Sequence, residues 1–247
     1  MIAGVPVLVR PDWEKMVPSD DPEQDAPAVA DLPAAARQWL TTSIDPHTPQ
    51  WAACQLVFRG GLKLADWHEY IAREVVNVDQ GFIWAAESAK GVPMRLTEQC
   101  IDGAGALKIR LAGLVPIGWR NLEKISLGAA GRFALESLFV PTGWDRWEFA
   151  PGRDDREFVV TVPVGEHRFQ VTATVDDQGQ LQSAWMHRWG YPELRGQVQE
   201  APFGVRVQSW SRWNGVLIPD ELTASWWFDS AGESEFFRAK IEMATFA

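Results

Sequence analysis

The sequence predicts a mainly β protein: one large curved antiparallel sheet, or open half-barrel, of about ten strands with few helices. Apolar and polar residues alternate with period two on both sides of the chain centre, which is typical of half-buried strands. Glycine-containing turn sequences, such as Asn214-Gly215, separate these segments, which is typical of hairpins. One helical pattern interrupts the strands in mid-chain and another precedes them.

The N-terminal part divides into an arm and the start of a single domain. Residues 1–30 are acidic and rich in proline, and they predict an extended arm. An N-terminal helix is expected to begin at Asp31-Leu32-Pro33, with Asp31 as its N-cap or near it and Pro33 in its first turn. Residues 31–247 are predicted to form one curved-sheet domain, because no break in composition marks a second one.

Two details of the strand pattern are specific enough to check. Arg59-Gly60-Gly61 predicts a hairpin turn between the first two strands, because both glycines tolerate positive φ. Pro219 lies inside a predicted strand, and since proline has no amide hydrogen it indicates a β-bulge or a sheet edge there.

The mid-chain helix is predicted over residues 120–140, as an insert that covers the sheet. Apolar residues lie on both of its sides, so both faces are expected to be buried. Glu136 falls within the apolar stripe that contains Phe133, and Arg132 lies four residues earlier. A carboxylate on a buried face is costly unless it is paired. Glu136 is therefore expected either to pair with Arg132 in the interior or to face a wet cavity as a general acid or base.

Tryptophan is unusually frequent, with 14 residues in the chain. The rings either fill the interior of a wide sheet or line a pocket for an apolar ligand. The strand from Leu181 to Trp189 would place Trp185, His187 and Trp189 on one face. The residues expected around a ligand are these: Trp84, Arg132, Phe133, Glu136, Trp144, Trp185, His187 and Trp226.

Charge and motifs narrow the function classes. The net charge of −10 argues against nucleic acid as a partner, because a phosphate backbone requires a basic surface. No apolar run is long enough for membrane insertion, and the first residues do not resemble a signal peptide, so a cytoplasmic location is expected. No metal site and no cofactor are predicted: the His68-Glu69 pair lacks a second histidine at metal-ligand spacing, and no phosphate-binding loop is present. Cys54 and Cys100 are expected to be buried free thiols.

Six segments together resemble a bacterial domain family of unknown function. They are LPAAARQWL, GFIWAA, IDGAGALKIRLAGLVPI, GRFALESLFVPTGW, DDQGQL and WNGVLIPDELTASWWF, in this order, and the resemblance extends from about Leu32 to the C-terminus. Such proteins look similar in fold to the LolA lipoprotein carriers, in which helices cover an open half-barrel that holds acyl chains. The resemblance implies a hydrophobic cavity, and it brings no established reaction.

Three interpretations follow as hypotheses, of which the last is a purely structural or partner-binding domain with the acidic residues 12–31 as a docking arm and the sheet edges as the interface. The first is non-enzymatic binding of an apolar or amphiphilic small molecule beneath the central helix, with Arg132 and Glu136 as a polar anchor. The second is a cofactor-independent isomerase, cyclase or hydrolase that uses the same cavity, with Glu136 or His187 as the proton-transfer group. The oligomeric state is left open by the sequence.

Overall fold

The computed structural model describes residues 9–18, 29–91, 93–111, 115–116, 122–193 and 196–247. The helices are α1 (Arg10–Met16), α2 (Ala34–Ser43) and α3 (Leu122–Glu136). The strands are β1 (Ala53–Lys63), β2 (Trp67–Asn77), β3 (Gly81–Ser88), β4 (Met94–Ile101), β5 (Ala104–Leu111), β6 (Val115–Pro116), β7 (Glu148–Pro151), β8 (Glu157–Val164), β9 (His167–Val175), β10 (Leu181–Gly190), β11 (Gln199–Trp213), β12 (Val216–Trp226) and β13 (Ser234–Phe246).

All of these strands form one antiparallel sheet, in the order β6-β5-β4-β3-β2-β1-β13-β12-β11-β10-β9-β8-β7. The predicted fold class is confirmed, with 13 described strands rather than about ten. The difference arises mainly at the two edges, where β6 and β7 are very short. The first and last strands of the chain, β1 and β13, pair at the centre of the sheet, with Cys54 opposite Phe246 and Leu62 opposite Phe237.

This topology explains the position of α3. The chain reaches one edge of the sheet at β6 and rejoins it at the opposite edge, β7, so the segment between them must cross a face of the sheet. We call the crossed face concave and the other face convex. Helix α3 contacts β3, β4 and β5 on one side and β8, β9 and β10 on the other. The helix therefore covers the sheet, as predicted for an insert.

The helix is shorter than the predicted span of residues 120–140. It ends at Glu136 and continues as two short 3-10 segments, Ser137–Phe139 and Pro141–Arg146. Pro141 has no amide hydrogen to donate to a preceding helical turn, so it does not continue the α-helix. Residues 120 and 121 lie outside the described part of the chain. The prediction that both faces are buried is confirmed by Ala129, Ala130, Phe133, Ala134 and Leu135, each less than one-tenth exposed.

Gly128 allows α3 to touch the sheet directly. A Cβ atom at this position would lie 2.4 Å from the carbonyl oxygen of Trp189 in β10, closer than any real contact. The same close approach lets the Nε of Arg188 donate a hydrogen bond to the carbonyl oxygen of Gly128 (2.9 Å). Glycine thus weakens the helix by about 1 kcal/mol relative to alanine but permits backbone contact with the strand.

Two predictions for the N-terminal region need correction. Within the predicted extended arm, residues 10–16 form α1, which packs on the convex face because Trp13 and Met16 are apolar and bury against Val75 and Ile83. Residues 19–28 lie outside the described residues. Helix α2 begins after Pro33, which is its N-cap residue, and no side chain caps it. Asp31 is therefore not the cap itself but lies two residues before it.

The predicted turn at Gly60-Gly61 is wrong, because β1 runs through both glycines to Lys63. A Cβ atom at Gly60 would collide with the carbonyl oxygen of Arg238, and one at Gly61 would collide with the ring of Trp67. The two glycines therefore permit close packing within the sheet rather than a turn.

Several local predictions are confirmed. Pro219 pairs with Trp210 at a register irregularity between β11 and β12. Asn214 and Gly215 both have positive φ in the hairpin that joins these strands. Cys54 and Cys100 are buried and free.

Candidate functional site

A cavity of about 520 Å³ lies between α3 and the concave face of the sheet. Its volume is within the range of small-molecule sites in proteins, about 300–1,000 Å³. Most of the wall is aliphatic and aromatic, and nine strands contribute to it. The apolar lining includes Leu56, Phe58, Leu96, Ile109, Phe203, Leu222, Phe237 and Ile241.

One part of the wall is polar, and it starts from a row of three side chains across the sheet. Trp84 in β3 pairs directly with Glu74 in β2 on one side and with Glu98 in β4 on the other. Because paired residues in an antiparallel sheet point to the same face, both carboxylates lie beside the indole ring on the concave face. All three residues line the cavity.

Arg132 joins this row to the helix. Its Nη2 lies 3.1 Å from Glu74 Oε1, its Nη1 lies 2.6 Å from Glu98 Oε2, and its Nε lies 2.5 Å from Glu136 Oε1. The guanidinium carbon also lies 4.9 Å from the ring centroids of Phe82 and Trp84. One cation therefore holds three carboxyl groups from β2, β4 and α3, and it is close to two aromatic rings.

A second guanidinium completes the cluster. Arg188 Nη2 lies 3.3 Å from Glu98 Oε1, and its guanidinium carbon lies 4.6 Å from the ring centroid of Phe203. The side chains of all five charged residues are at most 15 % exposed. We call Glu74, Glu98, Arg132, Glu136 and Arg188 the charge cluster.

Burial and charge shift the pKa values within the charge cluster in different directions. Burial and the neighbouring Glu136 raise the pKa of Glu74 well above its usual value. Burial also raises the pKa of Glu136, and it outweighs the attraction of Arg132. At Glu98, burial is outweighed by Arg132 and Arg188, so its pKa is lowered. Burial lowers the pKa of Arg188 to about 10.

The hydrogen bonds of Glu136 agree with the raised pKa values of Glu74 and Glu136. Its Oε2 is buried and receives no hydrogen bond from an amide, indole, hydroxyl or guanidinium group of the described residues. The Glu74 carboxyl group is within hydrogen-bonding reach of Glu136. A proton on Glu74 would therefore satisfy Glu136 and relieve the repulsion between the two carboxylates. With that proton, two carboxylates would balance two guanidinium groups.

Four of the eight residues predicted around a ligand do line the cavity: Trp84, Arg132, Glu136 and Trp226. The predicted pair of Arg132 and Glu136 is present and lies in the interior. The structure brings Trp84 and Trp226 to the same cavity from separate halves of the sheet, where they lie near Arg132 and Arg188 respectively.

The other four do not line it. Phe133 packs in the hydrophobic core, and Trp144 lies in the 3-10 segment after α3 with its ring centroid 6.5 Å from that of Phe149. Trp185 and His187 lie on the convex face, with ring centroids 6.0 Å apart, and His187 is exposed. A β-bulge between Leu181 and Ser183 reverses the alternation that the sequence pattern assumed, so Ala184, Met186 and Arg188 face inward instead.

Glu74, Glu98 and Arg188 were missed by the sequence analysis. Glu74 shares its face of β2 with Tyr70, Ala72 and Val76, and Glu98 shares its face of β4 with Met94, Leu96 and Cys100. A carboxylate on an apolar strand face is the same signal that identified Glu136 on the helix. Arg188 could not be found in this way, because the β-bulge displaces it.

Comparison with known protein families gives one match, over residues 30–246, to a family of unknown function designated DUF6920. The chain belongs to the DUF6920 family. The match covers all of the described strands together with α2 and α3, and it begins after α1. The expected membership of a family of unknown function is thereby confirmed. A sequence search of curated proteins found no match.

Three solved structures are similar in chain path. A domain provisionally named as an outer membrane lipoprotein-sorting protein from Vibrio parahaemolyticus has 10 % sequence identity and a TM-score of 0.44, covering 79 % of this chain and 86 % of its own. A LolA superfamily protein from Nitrosomonas europaea has 9 % sequence identity and a TM-score of 0.41, and the match covers 87 % of this chain and 92 % of that one. A DUF1329 family protein from Desulfovibrio piger has 8 % sequence identity and a TM-score of 0.46, and the match covers 86 % of this chain and 90 % of that one.

Within the described ranges, no group of three or more histidine, cysteine, aspartate or glutamate side chains is arranged to hold a metal ion. Among the helices of those ranges, none is long and apolar enough to cross a membrane.

Proposed function

We propose that this protein binds an apolar or amphiphilic small molecule in the cavity between α3 and the concave face, without catalysing a reaction. The observation that carries the proposal is the composition of the cavity wall: a large apolar surface that includes one group of buried charged residues, the charge cluster. Burial of apolar ligand surface would supply most of the binding free energy, at about 25 cal/mol per Å². The charge cluster would orient the ligand.

An enzyme in the same cavity is not proposed. His187, one of the two expected proton-transfer groups, lies on the convex face and has no access to the cavity wall. Glu136, the other, is fixed by Arg132 and lies close to Glu74. A cytoplasmic location and the absence of a nucleic-acid partner stay predictions from the sequence.

Fluorescence titration with the neutral apolar dye Nile red tests the proposal on the full chain. We expect saturable binding to the wild type and its loss in Ala224→Trp, because Ala224 lines the cavity and a large ring there would fill it. The matched control is Thr223→Trp, the next residue of β12, whose side chain points to the other face. Equal dye binding by the two variants, both shown to be folded by near-UV circular dichroism, would contradict the proposal.

A further inference from the structure

Arg132 and Arg188 both line the cavity, but they differ in how far their hydrogen-bond donors are used. Each of the three nitrogens of Arg132 donates to a different carboxyl group. Arg188 donates through Nε to the carbonyl oxygen of Gly128 (2.9 Å) and through Nη2 to Glu98 Oε1 (3.3 Å). Its Nη1 donates to no group of the described residues. Since both terminal nitrogens of a guanidinium group carry two hydrogens, Arg188 keeps unused donors on Nη1 and Nη2.

The unused donors of Arg188 are within reach of a ligand. The side chain is 10 % exposed, and it forms part of the cavity wall. The unpaired indole nitrogens of Trp84 and Trp213 are fully enclosed by protein, whereas Nη1 of Arg188 is not. An acceptor atom of a molecule in the cavity can therefore supply the partner that Nη1 does not find in the described part of the chain.

The positive charge of Arg188 is also only partly compensated. Its ion pair with Glu98 measures 3.3 Å, and the same carboxylate lies closer to Arg132, at 2.6 Å. Burial outweighs the attraction of Glu98 and lowers the pKa of Arg188 to about 10, so the group remains a cation at neutral pH.

The aromatic neighbours of Arg188 do not replace the missing acceptor. The ring centroids of Phe203 and Trp226 lie 4.6 Å and 5.6 Å from the guanidinium carbon, and both residues line the cavity. Such rings attract a cation, but they accept no strong hydrogen bond. An oxyanion would supply both the negative charge and the acceptor atoms.

We propose that the cavity binds an alkyl carboxylate, and that Nη1 and Nη2 of Arg188 donate hydrogen bonds to the two carboxylate oxygens. A planar carboxylate suits this role because its oxygens can accept from two guanidinium nitrogens in parallel. The alkyl chain would lie along the apolar wall that begins beside Arg188 at Phe203 and Trp226. The inference rests on the proposed function, because it names the ligand class for the same cavity.

Isothermal titration calorimetry of the full chain with four octyl compounds tests this inference at neutral pH, where a carboxylic acid is ionised. The compounds are octanoate, octyl phosphate, 1-octanol and octylammonium. For the wild type, we expect octanoate to bind about tenfold more tightly than octylammonium. In Arg188→Met, octanoate should bind about tenfold more weakly, the effect of losing one charge-assisted contact. The affinity for 1-octanol should change little, since methionine retains an apolar side chain of similar length.

Lys63→Met is the matched control. Lys63 also lines the cavity, but its side chain is exposed, so water compensates its charge. We expect this variant to bind octanoate as the wild type does. A tenfold loss of octanoate affinity in Lys63→Met without a loss in Arg188→Met, or equal losses of octanoate and 1-octanol in Arg188→Met, would overturn the role given to Arg188.

The remaining outcomes separate this inference from the proposed function. Tighter binding of octyl phosphate or octylammonium than of octanoate by the wild type would overturn the choice of a carboxylate and leave ligand binding intact. Absence of binding by Nile red and by every octyl compound would instead overturn the proposed function. If Arg188→Met does not fold, the comparison of octanoate with octylammonium on the wild type decides the question.

Discussion

The two faces of the sheet are each covered by a helix, but in different ways. On the convex face, α1 buries Trp13 and Met16 against Val75 and Ile83. Its polar contacts are neutral: Trp13 Nε1 donates to Gln55 Oε1 (3.0 Å), and Asn77 Nδ2 donates to the carbonyl oxygen of Met16 (2.9 Å). On the concave face, α3 is joined to the sheet by the charge cluster, and a cavity separates part of the helix from the strands.

The difference shows which contacts suit a helix packed directly on the sheet and which suit a helix with a cavity beneath it. The apolar side chains of α1 stabilise it by direct packing, and Trp13 and Met16 are at most 1 % exposed. Long arginine and glutamate side chains can connect α3 to β2 and β4 across a distance. The charge cluster therefore holds the helix over the sheet without filling the volume between them. On the convex face the helix is held by direct packing, and on the concave face a cavity remains between the helix and the sheet.

The largest expected effect comes from removing the central cation. Arg132→Met should lower the free energy of unfolding by about 3–5 kcal/mol, because three buried carboxyl groups lose their partner. Urea unfolding followed by far-UV circular dichroism measures this. The control is Arg59→Met, which removes an ion pair of the same 2.6 Å length as Arg132–Glu98 but on the surface, and should cost less than about 1 kcal/mol. Similar losses in the two variants would contradict the role given to burial.

On the convex face, Trp13→Ala should cost about 3 kcal/mol through the loss of packing and of one hydrogen bond to Gln55. Nile red affinity should stay unchanged, because Trp13 lies on the other side of the sheet from the cavity. Unfolding curves and dye titration on the same samples measure both quantities. A large fall in dye affinity in the folded variant would show that the two faces are not independent.

The close approach of α3 to β10 gives a smaller effect. Gly128→Ala should lower the free energy of unfolding by about 1–3 kcal/mol, because the new methyl group would overlap the backbone carbonyl of Trp189. Gly131→Ala is the matched control on the same helix, where the nearest atom is the flexible Met186 methyl group at 3.3 Å. There the better helix propensity of alanine offsets the contact. A loss at position 131 as large as that at position 128 would count against the direct backbone contact.

The smallest effect concerns pH. Since the pKa of Glu74 is raised in the folded protein, the folded state keeps a proton that the unfolded chain releases. Stability should therefore fall as pH rises from the unfolded pKa of glutamate through the folded pKa of Glu74, by about 1.4 kcal/mol per unit of difference. Glu98 acts in the opposite sense: its lowered pKa gives stability that is lost as pH falls through that value.

The variant Glu74→Gln isolates the first of these two contributions. Glutamine can donate a hydrogen bond as a protonated carboxyl group does, but it cannot ionise. The free energy of unfolding of this variant, measured by urea titration at a series of pH values from the unfolded pKa of glutamate upward, should decline less with rising pH than that of the wild type. An unchanged slope would mean that Glu74 is ionised in the folded protein.

The sequence was sufficient for the fold class because strand alternation and turn residues are local signals. It also identified Glu136, since an ionisable residue on an apolar helix face stands out without knowledge of its partners. The same rule applied to strands would have found Glu74 and Glu98. The inward face of β10 was predicted wrongly because one extra residue at a β-bulge inverts the positions from Ala184 to Arg188. Trp189 nevertheless lies against α3, where Lys124 Nζ is 4.0 Å from its ring centroid.

Other features depend on contacts between distant parts of the chain. Gly60 and Gly61 have the composition of a turn, and only the positions of Arg238 and Trp67 show that they belong to a strand interior. The grouping of Glu74, Glu98, Arg132 and Arg188 arises from the pairing of β1 with β13 and the crossing of α3, which local patterns do not specify. Residues brought together by such non-local pairing cannot be read from spacing.

The central claim is that the concave face holds a small apolar molecule. Native mass spectrometry of the full chain, freshly purified without detergent, tests it most directly. The account predicts a population heavier than the bare chain by the mass of a small lipophilic compound, present in the wild type and in Thr223→Trp and absent in Ala224→Trp. Bare protein in all three samples, together with no uptake of Nile red by the wild type, would contradict it.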